Sequence, residues 1–143
     1  MEGFRLAVPV RPRFRDTDAM GHVNNAVYLT YFEVARTEYW RALTGSPRYE
    51  QVPFILAHTT VDFRSPALVH EELEVGIRVS RVGRSSFECT YRVEEMATRR
   101  LVCEGRSVQV IYDYAQGASY PVPADLRARL HAFEGDPSLS ARP

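Results

Sequence analysis

The feature that most limits how this chain can fold is an unbroken run, residues 26–43, containing neither Gly nor Pro. At about 3.6 residues per turn it makes about five turns of helix. Val27, Tyr28, Leu29, Tyr31, Phe32, Val34, Ala35, Tyr39, Trp40 and Leu43 occupy most directions around its axis, leaving only a narrow polar stripe of Glu33, Arg36, Thr37 and Arg41. A helix this apolar in a globular chain is covered on most sides, so a sheet is expected to wrap it. Asn24 or Asn25 can cap its start by accepting from an otherwise unpaired backbone N–H. Thr44-Gly45-Ser46-Pro47 is the stop signal, with Gly just past the helix end.

The rest of the chain supplies that sheet. In residues 4–10, Phe4, Leu6, Val8 and Val10 alternate with Arg5, Ala7 and Pro9, a first strand that Pro9 and Pro12 confine to an edge or a bend. Residues 52–64 are apolar and β-branched enough for a second strand, closed by Ser65-Pro66. Residues 72–82 place Leu73, Val75, Ile77 and Val79 on one face and Glu72, Glu74, Arg78 and Ser80 on the other. After a turn at Gly83-Arg84-Ser85, Phe87, Cys89, Tyr91 and Val93 alternate with Glu88, Thr90, Arg92 and Glu94. A turn at Ala97-Thr98-Arg99 leads to a long last strand over residues 100–112. Strands joined by short turns pair antiparallel. A short helix follows over residues 125–130, with Leu126, Leu130 and Phe133 on one face, and the tail of residues 136–143 is expected to fray. The reading is α+β: one domain over residues 1–135, a long central helix wrapped by a curved antiparallel sheet of about five strands, and a short C-terminal helix. The sheet's outer face and one edge stay available for a second subunit.

Eighteen acidic residues balance eighteen basic ones, so bulk charge favours neither a nucleic acid nor a membrane partner. Arg greatly outnumbers Lys, which leaves room for local phosphate binding. No stretch approaches the roughly 20 apolar residues of a membrane span. The first ten residues are too short and too broken for a signal peptide's apolar region, and the cytoplasm is the expected location. Cys89 and Cys103 sit in the two arms of one hairpin among apolar neighbours and read as reduced, buried side chains. The four His residues lack ligand spacing and there is no paired-Cys motif; no metal or cofactor is expected.

Ahead of the helix lies a polar knot, Asp16-Thr17-Asp18-Ala19-Met20-Gly21-His22-Val23-Asn24-Asn25. Asp16-x-Asp18 imitates the front of a calcium loop, but Met20 is no ligand and the twelfth position is Val27 instead of Glu. There is no Gly-x-Ser-x-Gly elbow and no Gly-rich phosphate loop. Together with the helix that follows it, as far as Arg36, this knot resembles the loop and central helix of hot-dog-fold acyl-CoA thioesterases of the 4-hydroxybenzoyl-CoA thioesterase-like branch. Asp62-Phe63-Arg64-Ser65-Pro66-Ala67 with Glu72-Leu73-Glu74-Val75, Gly83-Arg84-Ser85-Ser86-Phe87, and Tyr120-Pro121-Val122-Pro123 are also similar to text of that family, and the resemblance runs over roughly residues 5–130.

The resemblance implies a hot-dog fold, thioester hydrolysis, and Asp18 in the place of the active-site carboxylate, as nucleophile or general base. Asn25 falls where several relatives carry His or Tyr. The Asp-x-x-x-His-Val-Asn-Asn pattern is also similar to acyl-ACP thioesterases, whose catalytic set has an Asn where this chain has Met20; His22 fits that set and Met20 does not. The chemistry needs donors for an oxygen that becomes negative, and free N–H groups at the helix start, near Asn24 and Asn25, are placed to supply them. His22 could orient a water, donate to the leaving thiolate, or fix the loop. Asp16 reads as a loop or capping carboxylate.

For the substrate, Asn24, Tyr28, His58, Arg64, Arg84, Ser85 and Ser86 are the candidate contacts, the arginines and serines for the nucleotide phosphates and Tyr28 for an acyl or aryl pocket. The expected partners are an acyl-CoA or acyl-ACP thioester and a second copy of the chain, as homodimer or homotetramer, each site being finished by a neighbouring subunit. Two other classes stay open. A non-catalytic acyl-CoA binder would hold the ester and release no thiol. A hydratase or dehydratase would leave the thioester intact.

Overall fold

The computed structural model describes residues 1–46, 53–136 and 139. Strand β1 (Leu6–Val10) leads through a 3-10 turn (Phe14–Asp16) and a loop into helix α1 (Val27–Thr44). Strands β2 (Phe54–Phe63), β3 (Leu73–Val82), β4 (Ser86–Glu95) and β5 (Leu101–Asp113) follow, then the two-residue strand β6 (Ala118–Ser119) and helix α2 (Ala124–Glu134). The order across the sheet is β1-β3-β4-β5-β2, each pair antiparallel, with β6 added to the end of β5. This is the hot-dog arrangement, one long helix cradled by a bent sheet. Bulges between Val79 and Arg81, Val93 and Glu94, and Leu56 and His58 interrupt the register, and such irregularities bend and twist a sheet locally.

The helix ends where Gly45 takes φ 76° and returns its N–H to the Arg41 carbonyl at 2.8 Å, a left-handed cap that Gly adopts without a Cβ clash. Its start differs from the expected cap in detail: Asn24 Oδ1 accepts from the Ala26 N–H at 3.0 Å, just ahead of the first helical residue. Pro47, and the first residue of the strand expected over 52–64, lie outside the described residues. So do residues 137, 138 and 140–143 of the expected frayed tail, whereas Leu139 is buried.

Tyr28, Tyr31, Phe32, Ala35, Tyr39 and Trp40 form the buried face of α1. Leu73, Val75, Ile77 and Val79 of β3, and Phe87, Cys89, Tyr91 and Val93 of β4, meet it from the sheet, as their alternation implied. Helix and sheet approach closely at Gly105, where an added Cβ would lie 2.4 Å from the Phe32 ring. That ring stacks on Tyr91 with centroids 4.2 Å apart.

Two expectations need correcting. Leu29 and Val34 are exposed, so within one chain α1 is covered on one broad face and not on most sides. Arg36, assigned above to the polar stripe left outside the apolar face, turns inward and donates to the Tyr91 hydroxyl at 3.0 Å. The reason is a polar strip inside the core: Tyr91 shares a hydrogen bond with Ser107 (2.6 Å), which also accepts from Gln109 (2.5 Å). A guanidinium can satisfy the oxygen nearest the helix.

Helix α2 closes the other side. Leu126 and Leu130 are buried, and Glu134 Oε1 accepts from the Tyr39 hydroxyl (2.7 Å) and from the Val79 N–H (2.8 Å). Val79 lies past the end of β1, whose first pair is Leu6 with Ile77, so Glu134 occupies a ladder position that β1 leaves open. Cys89 and Cys103 are free and buried, and burial pushes both thiols up to about 12, unlike reactive thiols.

Candidate active site

The polar knot is built as a small hairpin in front of α1. Thr17 bridges Val23, and the Asp18 N–H donates to the His22 carbonyl at 2.8 Å. Gly21 takes φ 77° at the tip and donates to the Asp18 carbonyl at 3.0 Å; this is where the loop needs a residue without a Cβ. The same turn aims two further N–H groups at the Asp18 side chain. Oδ1 accepts from Met20 at 2.9 Å and from His22 at 3.2 Å. Oδ2 has no hydrogen-bond partner among the described residues, and none of the described arginines pairs with this carboxylate.

Asp18 is exposed in the single chain, yet it lines a cleft of about 290 Å³ together with His22, Val23, Asn25 and Tyr28 on one side and Phe63, Arg64, Ser65 and Pro66 on the other. Asn24 commits its N–H to the Asp16 carbonyl (2.8 Å) and its side chain to Ala26. The N–H of Asn25 has no partner among the described residues, so of the two amides expected to be open at the helix start, the one on Asn25 is. Tyr28 is buried beneath the cleft, edge-on to Tyr31 at 5.9 Å and tilted against Phe63 at 5.7 Å; burial pushes its hydroxyl up to about 12.

The opposite wall is held by residues that sequence reasoning did not assign. Arg100 donates to the Pro66 carbonyl (2.7 Å), to Ser65 Oγ (3.2 Å) and to Glu71 (2.5 Å), while Glu71 accepts from the Leu68 N–H (2.8 Å). Val23 donates to the Ala67 carbonyl and His22 bridges Leu68, so this segment and the Asp18 loop brace each other. On the near side, Asp16 is buried and accepts from the Arg13 N–H (2.9 Å), the Arg13 guanidinium (2.9 Å) and the Tyr31 hydroxyl (3.0 Å). Burial works against its charge, but the hydrogen bonds from Arg13 and Tyr31 outweigh it and hold the carboxyl below its ordinary range.

The structure thus brings Asp18, His22, Asn25, Tyr28 and Arg64 to one cleft, Arg64 being also 3.4 Å from Glu104. Asn24 stands just behind it. His58 pairs with Val108 on the exposed strand β2, away from the cleft lining. Arg84, Ser85 and Ser86 lie at the β3–β4 turn, beyond Val82, whereas the cleft adjoins the far end of β3, before Leu73. Within one chain they are at the other end of the sheet. Among the described residues, no cluster of three or more His, Cys, Asp or Glu side chains could hold a metal ion, and no helix is long and apolar enough to cross a membrane.

A carboxylate with one oxygen open and a helix-start residue with an open amide, lining the same cleft, are groups suited to adding water to a carbonyl. Comparison with known families gives a match to the model of the thioesterase-like superfamily over residues 12–130, which contains every residue of the cleft. The chain belongs to the thioesterase-like superfamily. Among curated thioesterase-like relatives, the acyl-CoA thioester hydrolase YbgC of Escherichia coli O157:H7 is 34% identical over 125 residues, 85% of this chain and 92% of that protein. A shorter match, 32% over 87 residues, covers 61% of this chain and 59% of YsmA of Bacillus subtilis. Among solved structures, a thioesterase of Thermus thermophilus complexed with coenzyme A and Zn superposes with a TM-score of 0.86 at 38% identity, covering 96% of this chain and 99% of that one.

Proposed function

We propose that this chain hydrolyses acyl-CoA thioesters to a free acid and a thiol at the cleft beneath Asp18. The observation that carries the reading is the asymmetry of that carboxylate: Oδ1 is fixed by two backbone N–H groups while Oδ2 has no partner among the described residues, and Asp18 lines one cleft with Asn25, whose N–H is likewise unpartnered among them. A thioester carbonyl placed against Asn25 is polarised as its charge develops, aided by the positive end of the α1 dipole. Asp18 Oδ2 then takes a proton from a water whose oxygen attacks the carbonyl carbon. When the C–S bond breaks, the thiolate takes that proton from Asp18, directly or relayed through His22, and the acid departs. In the alternative, Oδ2 itself attacks, forming an anhydride that water opens. A single turnover in ¹⁸O-water that labels Asp18 establishes direct attack, since label enters when water opens the anhydride at that carboxyl carbon and the base route never delivers it.

YbgC relatives named for acyl-CoA hydrolysis and the coenzyme A held by the Thermus neighbour support CoA as the carrier; Arg64 at the cleft mouth is the candidate phosphate contact. An acyl carrier protein is the second reading, favoured only by the His-Val-Asn-Asn text. Self-association as a homo-oligomer is part of the reading, supported by β2, which ends the sheet as a ten-residue edge with Leu56 and Phe63 half exposed; a cytoplasmic location is part of it too. In such an assembly the turn at Arg84, Ser85 and Ser86 reaches substrate from a neighbouring copy. A panel of acyl- and aryl-CoA esters, with acyl-ACP alongside, tests the reading. Free thiol from the CoA esters is expected; binding without release would make the chain a carrier or sensor.

A further inference from the structure

We infer that Asp16 is a positioning residue for this hydrolysis: its buried carboxylate, held by Tyr31 of α1, sets the distance between the Asp18 carboxylate and the Asn25 amide. The inference rests on the proposed role of Asp18. Both arms of the loop radiate from Asp16. Its side chain reaches forward to α1, accepting from the Tyr31 hydroxyl at 3.0 Å, and back to the Arg13 N–H at 2.9 Å and guanidinium at 2.9 Å. Its own carbonyl accepts from the Asn24 N–H at 2.8 Å. Asp18 is two residues along one arm from this point, and Asn25 is next to the residue at the end of the other arm. The two groups that must face the same carbonyl therefore hang from a single residue, which is itself pinned to the helix that Asn25 leads into.

A purely structural salt bridge would not need Tyr31. The Arg13 guanidinium is largely exposed, and an exposed cation contributes little by itself; the buried contact is the one to the helix hydroxyl. Tyr31 also packs edge-on against Tyr28, which lines the cleft, so the same ring sets the floor and the loop. Shifting a reacting group by about 1 Å is enough to cost a reaction up to about 10²-fold, whereas substrate held mainly by distant parts of the cleft would bind as before.

The test compares Asp16→Ala, Tyr31→Phe and the double variant with the parent and with Asp18→Asn, measuring kcat and KM on an acyl-CoA ester that the parent turns over. Ala is used because an Asn amide oxygen would still accept from Tyr31. Asp16→Ala is expected to lower kcat by about tenfold or more with KM within about threefold. Tyr31→Phe should act in the same direction, and the double variant should be no worse than Asp16→Ala alone, because both remove one shared contact. Parental kcat in Asp16→Ala beside an inactive Asp18→Asn would overturn the inference, as would single losses that multiply in the double variant, or a rise in KM alone. Should Asp16→Ala not fold, Tyr31→Phe keeps the ring and decides the matter: parental kcat there overturns the positioning role. Parental turnover in Asp18→Asn would instead remove the hydrolytic reading, and this inference with it.

Discussion

Asp16 and Asp18 stand two residues apart and meet opposite surroundings. Asp16 is buried and saturated with donors; Asp18 is exposed, with one oxygen held and one open. The first is a stability element with a definite pH signature. Its carboxyl titrates below the ordinary value of 3.8 in the folded protein, so the unfolded chain binds the proton more readily. The stability it contributes is complete above that ordinary value and is lost as pH falls through the folded one. Urea midpoints measured from neutral pH down to about pH 3 should therefore fall less steeply in Asp16→Asn than in the parent. Some slope will remain, because hydrogen bonds from Thr98 and Ala97 hold Glu95 low as well. An identical slope in the two proteins would show that Asp16 is not the group responsible. Sequence reasoning treated Asp16 as a loop or capping carboxylate and could not see its partner Tyr31, because a helical Tyr fifteen residues on looks like any core aromatic.

At the scale of elements, the long helix and the four long strands were legible because their burial follows a simple period. Leu73, Val75, Ile77 and Val79 show it best, all fully buried. Three features were not legible. Strand β6 is two residues long, too short for any pattern. Arg36 points inward to a polar core strip that binary patterning treats as an error. The bulge at Leu56 and His58 breaks the alternation of β2. Gly105 is the element-scale hinge of the packing, since it lets Phe32 lie on the sheet. An added Cβ would sit 2.4 Å from Phe32 and 2.9 Å from the Thr60 carbonyl. Gly105→Ala is expected to destabilise the fold by about 1–3 kcal/mol through overpacking, read from the chemical-denaturation midpoint. A parental midpoint would mean that the helix can lift without cost.

For the whole molecule, the two ends of the sheet differ. At one end β1 is short, carries Pro9, and is extended by Glu134 where it stops. At the other, β2 offers ten residues of open edge with Leu56 and Phe63 half exposed, the kind of edge that pairs with another chain. If this edge pairs two copies, Leu56→Glu should lower the assembly state in sedimentation equilibrium; an unchanged mass would show that this edge is not an interface. The same scale explains which candidate residues gathered and which did not. Asp18, His22, Asn25 and Tyr28 are neighbours in sequence, and the passage at Phe63, Arg64, Ser65 and Pro66 pairs back onto their loop through Ala67 and Leu68. Arg84, Ser85 and Ser86 follow a ten-residue strand that starts beside the cleft, so their turn must fall at its far end.

The most direct test is turnover of acyl-CoA esters by the parent protein and by Asp18→Asn, both shown to be folded. The account predicts thiol release by the parent and a loss of at least about 10²-fold in kcat for Asp18→Asn, the low end of what a general base contributes. Equal turnover by the two proteins would contradict it.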